Sequence, residues 1–331
     1  MKKIAFVTGS NGFLGINLVK KLYENDWKVI AMHRPDSDTR FLEQFDVELV
    51  QGDIRDYDSL AKIMPNNIDA VFHIAASTKL GLKHKQLMYE TNVEGTKNVL
   101  INAIKKGAKK IIFTSSISSY GQHDGSIDEY TKSNALTKKN NYYNVTKFMG
   151  EQIIKKANAE GLIEGIILNP CRIMGPYDKN NWATFIKMAI NKKILIVPKG
   201  KGMLCHVEDV ADAHISAYEN GKGGENYLLG GTLASFKDII NSAESNAGIK
   251  ETKGETKNWM VYTLSHLLPL YASIMHQEPK LTPERAQLLT SNVLCDFQKA
   301  KTDLNYKTSS VDKIINDSIS WLKKENLLEM I

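Results

Sequence analysis

Tyr143 and Lys147 stand four residues apart in Tyr143-Asn144-Val145-Thr146-Lys147, a spacing that puts both side chains on one face of a helix. An ammonium beside a phenol favours the phenolate, so such a pair could pass a proton to or from a substrate oxygen. The spacing alone is unspecific. Tyr218 and Lys222 repeat it beside Gly221 and Gly223-Gly224, where a helix should already be ending. What separates the first pair from the second is Thr114-Ser115-Ser116-Ile117-Ser118-Ser119-Tyr120-Gly121, a hydroxyl cluster that follows an apolar run. A hydroxyl placed there could hold a developing alkoxide. The bland alternative is that these serines cap a turn.

Elements that could position these groups recur along the chain. Short apolar runs at 3–8, 28–32, 47–51, 69–74, 110–115 and 164–168 have the length of buried strands. Helical patterns at about 13–25, 57–64, 86–107 and 143–160 separate them. The alternation predicts an α/β fold with a doubly wound parallel sheet, because each parallel pair requires a crossover. Beyond residue 170 the alternation lapses. The expected division is a first domain over 1–168 with returning segments at about 203–250, and a smaller C-terminal substrate lobe from 169–202 and 251–331.

Residues 4–15, Ile4-Ala5-Phe6-Val7-Thr8-Gly9-Ser10-Asn11-Gly12-Phe13-Leu14-Gly15, break an apolar run with three glycines and then enter an amphipathic helix. Gly9 permits the turn, Gly12 lets backbone N–H groups approach a phosphate, and Gly15 lets the helix pack closely on the sheet. The helix N-terminus then faces an anion, which makes this a place to hold a diphosphate. The spacing is GxxGxxG, a loose match to the general dinucleotide fingerprint. An acid about 20 residues further on usually binds the adenine ribose. Here the second strand ends in His33-Arg34-Pro35, so the acid is missing and Arg34 stands where a planar cation could pair with a 2′-phosphate. Ser37 and Arg40 are possible helpers, and Asp36 or Asp38 could still reach a ribose. In Gly52-Asp53-Ile54 a carboxylate could accept from the adenine amino group, or simply shape a turn.

The composition narrows the classes. The chain has 331 residues and a formal net charge of +6, but its lysines are interspersed with acids and form no block, so nucleic-acid binding is not expected. Cys171, Cys205 and Cys295 are odd in number and lack metal-ligand spacing, which fits a reducing compartment, no disulfide framework and no metal. Lys2-Lys3 leads straight into the first strand, so no secretion signal is expected and cytoplasm is the expected compartment. Segment 259–276 is apolar but is interrupted by His266 and Pro269 and barely reaches the ~20 residues of a spanning helix, so a lobe or lid is expected and not stable membrane insertion.

Together, the glycine turn, His73-Ile74-Ala75-Ala76, Asn92-Val93-Glu94-Gly95-Thr96, Ser115-Ser116 with Tyr120-Gly121, and Tyr143 with Lys147 resemble the extended short-chain dehydrogenase/reductase family. The resemblance continues through Asn169-Pro170, Gly175-Pro176, His206-Val207-Glu208-Asp209-Val210-Ala211-Asp212-Ala213 and Lys299-Ala300 with Leu304-Asn305-Tyr306. Within the family, His33-Arg34-Pro35-Asp36-Ser37-Asp38 and Gly224-Glu225-Asn226-Tyr227-Leu228-Leu229-Gly230-Gly231 resemble the dihydroflavonol-reductase-like and hopanoid-associated epimerase/reductase group. The resemblance implies a Rossmann-type domain, a nicotinamide cofactor, Tyr143 as acid/base, Lys147 as its partner and ribose ligand, and Ser116 as carbonyl polariser. Ser116 is preferred over Ser115 because it lies four residues before Tyr120. The implied cofactor contacts are Thr8, Gly9, Asn11, Gly12, Phe13, Leu14, Gly15, His33, Arg34, Ser37, Asp53, Ile54, Ala75, Ala76, Ser77, Asn92, Thr114, Tyr143, Lys147 and Pro170. Asn92 is expected mainly to support the helix framing the site. A homodimer is implied through the helices near 86–107 and 143–160.

The expected reaction is NADP-dependent reduction of a small ketone or aldehyde, with NAD as the other possible cofactor. The alternative is a nucleotide-sugar epimerase or dehydratase. Sugar-nucleotide members commonly place an Arg-Asp pair shortly before the His-Val-x-Asp-Val segment, where this chain has Met203-Leu204-Cys205. Lys199, Lys201, Arg172 or Arg285 could substitute for that cation. Ser77-Thr78-Lys79, loop 122–140, Cys171-Arg172-Ile173-Met174 and residues 255–285 are expected to wall the pocket. Trp259, Met260, Tyr262, Leu267, Leu268 and Tyr271 would suit it to an apolar or aromatic substrate, unless they are core of the small lobe.

Overall fold

The computed structural model describes residues 2–79, 81–123, 125–137, 141–274 and 281–328. In chain order the strands are β1 (Ile4–Thr8), β2 (Lys28–His33), β3 (Glu48–Gln51), β4 (Ala70–His73), β5 (Lys110–Thr114), β6 (Ser126–Ile127), β7 (Glu164–Pro170), β8 (Arg172–Met174), β9 (Lys201–His206), β10 (Asn226–Leu229), β11 (Thr232–Ser235) and β12 (Leu294–Cys295). The helices are α1 (Phe13–Glu24), α2 (Tyr57–Ile63), α3 (Lys85–Tyr89), α4 (Gly95–Lys105), α5 (Tyr142–Ala159), α6 (Trp182–Ile190), α7 (Val207–Asn220), α8 (Phe236–Asn246), α9 (Asn258–Ile274), α10 (Pro283–Thr290), α11 (Gln298–Leu304) and α12 (Val311–Lys324).

Seven strands form one parallel sheet in the order β10-β7-β5-β4-β1-β2-β3. The order reverses between β1 and β4, so the loops after these two strands open a crevice at the C-terminal edge, where such sheets bind ligands. The central strands are buried on both faces, as parallel sheets require. On one face α1 and α7 enclose Val7, Phe72, Leu18 and Val210. On the other, α2, α4 and α5 enclose Phe6, Val71, Leu60, Val99 and Ile154.

Six of these strands and all four helices fall where the periodicity puts them. The seventh strand, β10, was not expected as a strand. It lies within the segment expected to return to the first domain, and it pairs with β7 in parallel register from Asn226↔Ile167 to Leu229↔Pro170. The helix expected over 86–107 is α3 and α4 joined through a π turn at Glu90–Glu94. A second sheet, β11-β9-β8, and the pair β12-β6 extend from the C-terminal edge of the main sheet. Among the described residues no helix is long and apolar enough to cross a membrane. Residues 275 and 276 of the apolar segment, and the side chain of Tyr271, lie outside what is described.

Candidate active site

The turn after β1 is shaped by close backbone approach. Gly9 has φ +68, and a Cβ at Gly15 would lie 2.1 Å from the Gly9 carbonyl oxygen, so only glycine fits there. Gly12 caps α1 without any side-chain hydrogen bond, which leaves the first N–H groups of the helix directed at the crevice. These residues form one end of a cleft of about 510 Å3. Gly9, Asn11, Gly12, Phe13, Leu14, Gly15, His33, Arg34, Asp53, Ile54, Ala75, Ala76, Ser77, Thr114, Ser116, Tyr143, Lys147 and Pro170 all line it. The structure therefore gathers into one cleft most of the residues that sequence reasoning named.

Three of them stand outside it. Thr8 is buried behind the turn, where its hydroxyl meets His73 Nδ1 at 2.8 Å and accepts from the Ala75 amide at 3.3 Å. Asn92 lies in the π turn. Its amide oxygen accepts from Ser77 N at 2.7 Å, and its Nδ2 donates to Ser77 O at 3.0 Å and to Thr146 Oγ1 at 3.1 Å. Thr8 and Asn92 thus fix cleft-lining backbone without themselves facing the cleft. Ser37 sits in the loop after β2 and does not line it.

At the β2 end, Arg34 is exposed and makes no hydrogen bond or ion pair among the described residues. Its expected helpers are otherwise engaged. Arg40 pairs with Asp38 at 3.3 Å and lies over the Phe41 ring, and Asp38 is also taken by Lys179 at 2.7 Å. Asp53 is gripped by Arg55, a residue that sequence reasoning missed, with Nη2 to Oδ2 at 2.6 Å and Nε to Oδ1 at 3.1 Å. That guanidinium holds the Asp53 carboxyl below the usual range. The only signal for Arg55 was its position two residues after Asp53.

The other end carries the candidate chemistry. Tyr143 stands in the first turn of α5, which Asn141 caps by accepting from the Asn144 amide. The Tyr143 phenol is pushed above its ordinary range by burial, and the neighbouring Ser116 hydroxyl pulls it the other way. Lys147 is buried, donates to the Thr114 carbonyl at 2.7 Å and lies 4.8 Å from the Phe113 ring centre. Burial lowers its ammonium from 10.5 to about 8, against the opposing pull of Glu151. The expected depression of the Tyr143 pKa by Lys147 is therefore absent in the free protein: the ammonium is held by a carbonyl, and the phenol lies above its ordinary value.

The two serines face different partners. The Ser115 hydroxyl donates to buried Glu151 at 2.5 Å, whereas Ser116 caps the short turn 117–120, accepts from Ser118 N at 3.2 Å, and meets Tyr143. Glu151 also accepts from Asn169 at 2.6 Å and Asn226 at 3.2 Å, tying α5 to β5, β7 and β10 beneath the site.

The walls differ in part from expectation. Ser77, Thr78, Lys79, Cys171 and Ile173 line the cleft, joined by Leu87 and Thr91 from the α3 region, which were missed. None of the described residues of 122–137 or 255–285 does. Helix α9 instead packs Val261 and Leu264 against Ile196, Leu281, Ala286 and Leu289, which leaves Trp259, Met260, Tyr262 and Leu267 exposed. Lys199, Lys201 and Arg285 also lie off the cleft. Arg172 is stacked over Phe236 with its guanidinium 4.8 Å from the ring centre, and burial lowers it to about 10. Among the described residues no His, Cys, Asp and Glu cluster could hold a metal ion.

A glycine turn feeding a helix at the switch point of a parallel sheet, in one cleft with a serine, a tyrosine and a lysine, defines an extended short-chain dehydrogenase/reductase. The chain belongs to the NAD dependent epimerase/dehydratase family, whose profile matches residues 5–230. It is 26% identical to a putative dihydroflavonol 4-reductase of Synechocystis over 332 residues, covering 98% of this chain and 96% of that protein. Among solved structures, that of gox2253 is 27% identical with a TM-score of 0.86, covering 99% of this chain and all of the other. The UDP-glucuronic acid 4-epimerase of Bacillus cereus in complex with NAD shares the fold, with a TM-score of 0.76 at 23% identity over 97% of this chain and 99% of the other. The chain is accordingly an enzyme of the NAD(P)-dependent oxidoreductase, epimerase and dehydratase group.

Proposed function

We propose that this enzyme is an NADP-dependent oxidoreductase that reduces the carbonyl of a small ketone or aldehyde, apolar or aromatic in character, with Tyr143 as the proton donor. The observation that carries this reading is the convergence of Ser116, Tyr143 and buried Lys147 in the same cleft as the glycine turn. The residues present fit a nicotinamide dinucleotide. The cradle at Gly9 and Gly15 has no room for a Cβ, the α1 N–H groups carry no side-chain cap, and Arg34 is a cation whose side chain makes no hydrogen bond or ion pair among the described residues. Gly12 through Gly15 would hold the diphosphate, Arg34 a 2′-phosphate and Lys147 the nicotinamide ribose. Bound there, the cofactor supplies the hydride that reduces the carbonyl carbon.

The chain's own groups do the rest. The Ser116 hydroxyl donates to the carbonyl oxygen and stabilises the charge that develops on it. Tyr143 gives its phenolic proton to that oxygen, which completes the alcohol. Lys147 then faces the new phenolate from the next turn of α5 and favours it electrostatically. Leu87, Cys171 and Ile173 exclude water on the substrate side.

The epimerase reading requires a cation for a sugar-nucleotide diphosphate. Arg172, Lys199, Lys201 and Arg285, the cations expected to serve it, all lie off the cleft, and Leu204 and Cys205 are buried in β9, which favours the reductase; Lys79 is the lysine besides Lys147 that lines the cleft. The same reading carries a homodimer formed through the helical stretch 86–107, which is α3 and α4, and α5, and a cytoplasmic location.

The test follows NADPH and NADH absorbance over a panel of carbonyl compounds, with chromatographic product analysis on UDP-, GDP- and dTDP-sugars. Carbonyl-dependent NADPH oxidation is expected, lost in Tyr143→Phe while cofactor binding persists. Efficient epimer formation without added cofactor, or near-normal turnover by Tyr143→Phe, overturns it.

A further inference from the structure

Helix α9 carries apolar residues on more sides than the fold covers. Val261, Leu264 and Ser265 face inward, yet Trp259 is 64% exposed and Leu267 55%, with Met260 and Tyr262 also exposed. A helix apolar all round is ordinarily buried all round. Beside it runs segment 192–197, held to 250–256 by Lys192 Nζ to Thr252 Oγ1, by Val197 N to Thr256 Oγ1 at 3.0 Å and by Thr256 N to Val197 O at 2.8 Å. This segment projects Leu195, 93% exposed, beside the start of α9. Lys193, Lys253 and Lys257 flank these tips along the chain and Lys250 lies in the segment paired with 192–197; all four are exposed and form no ion pair among the described residues. Glu251 and Glu255 are the acids interspersed with them.

We propose that this face, Leu195 with Trp259, Met260, Tyr262 and Leu267, docks on an anionic membrane surface. The apolar tips enter the headgroup boundary and the lysines meet lipid phosphates. Two features favour a bilayer over a protein partner or a second copy. Lysine is depleted from protein interfaces but enriched where helices lie on anionic lipid, and Trp and Tyr prefer the headgroup level. The apolar groups also project from a helix and a loop, each next to the other, as shallow insertion requires. Over its described residues helix α9 contains Pro269 and is not long and apolar enough to cross a membrane, so the proposal lays it in the plane of the surface.

The experiment is flotation of the full chain with vesicles of phosphatidylcholine alone and of phosphatidylcholine doped with phosphatidylglycerol, with tryptophan emission recorded alongside. Trp27 and Trp321 are buried and Trp182 is half-buried, so Trp259 dominates any change in emission. Binding to the anionic vesicles with a blue shift is expected, weaker on phosphatidylcholine alone and weakened by salt. A lysine near an anionic surface is worth about fivefold in affinity, so Lys253→Gln with Lys257→Gln should lose about thirtyfold. Trp259→Glu should abolish binding while its circular dichroism matches the parent. No flotation on either vesicle overturns the proposal. So does equal binding to both vesicles, or a concentration-dependent dimer that Trp259→Glu disperses without any vesicle binding.

Discussion

Replacing Lys147 with methionine should make the cofactor-free protein more stable at neutral pH, even as it removes a candidate catalytic group. Lys147 is buried against Phe113, and its ammonium titrates at about 8 instead of 10.5. That drop corresponds to roughly 3 kcal/mol by which the folded state disfavours the charged form. The unfolded chain binds this proton more tightly than the native one. Stability therefore rises with pH through the window from about 8 to 10.5, and the full penalty is present below it. Methionine has similar length and no charge, so it relieves the penalty. It also forfeits the hydrogen bond to the Thr114 carbonyl, worth about 1 kcal/mol. The net expectation is a gain of about 2 kcal/mol at pH 7, read as a rise of a few degrees in Tm. By pH 10 the penalty in the parent has fallen to about 1 kcal/mol and the advantage of Lys147→Met should nearly vanish. Thermal unfolding of both proteins without cofactor, from pH 7 to 10, checks this. A variant less stable at pH 7, or a difference that does not shrink with pH, refutes the reasoning.

Arg34→Ala should cost NADPH about ten- to hundredfold in affinity and leave NADH nearly unchanged, because a charge-assisted bond to a phosphate is worth about 1.5–3 kcal/mol. Titration of both cofactors decides it, and equal parental affinities for the two would show Arg34 to be a surface charge only. Glu151→Ala strips the acceptor from Ser115, Asn169 and Asn226 at once, so denaturant unfolding should show a loss of about 3–6 kcal/mol, with Glu151→Gln intermediate. Because burial keeps the Tyr143 phenol protonated at neutral pH, reduction should be nearly independent of pH there while the reverse oxidation, which needs the phenolate, climbs with pH. Initial rates in both directions across the pH range test this, and parallel profiles would count against Tyr143 as the proton donor.

The fold was legible where one physical requirement dominates a short stretch. Ile4-Ala5-Phe6-Val7 and Ile111-Ile112-Phe113 are continuous apolar runs because a central parallel strand is covered on both faces. Gly15 is legible because no other residue fits 2.1 Å from the Gly9 carbonyl oxygen. Strand β10 was missed as a strand because its place beside β7 is set by contacts distant in sequence, after the strict alternation of strands and helices has lapsed. The π turn at Glu90–Glu94 was missed for a related reason. A helical stripe of apolar residues says nothing about an extra residue in one turn, although that turn carries Asn92, which holds both backbone groups of Ser77.

The site was legible in its residue types and less so in their partners, because charge pairing depends on which groups the fold brings within reach. Asp53 read either as an acceptor for adenine or as a turn aspartate; its carboxylate accepts from the Arg55 amide, and the Arg55 guanidinium folds back over it. Lys147 read as the group that lowers the Tyr143 pKa, yet the nearest acceptor for its ammonium is a backbone carbonyl of β5. Apolar composition around 259–268 read as a pocket wall, and the fold turns much of it to the outside. The same limit applies to the cysteines. Cys171 and Cys295 are 124 positions apart in sequence, and their sulfurs lie 3.5 Å apart beside the cleft. A spacing rule for metal or disulfide frameworks cannot detect such a contact, because it arises only when β12 pairs with β6 and brings Cys295 back to the end of β7. What a linear reading misses here is convergence, and convergence decides the protonation states of Asp53, Tyr143 and Lys147, on which the proposed chemistry rests.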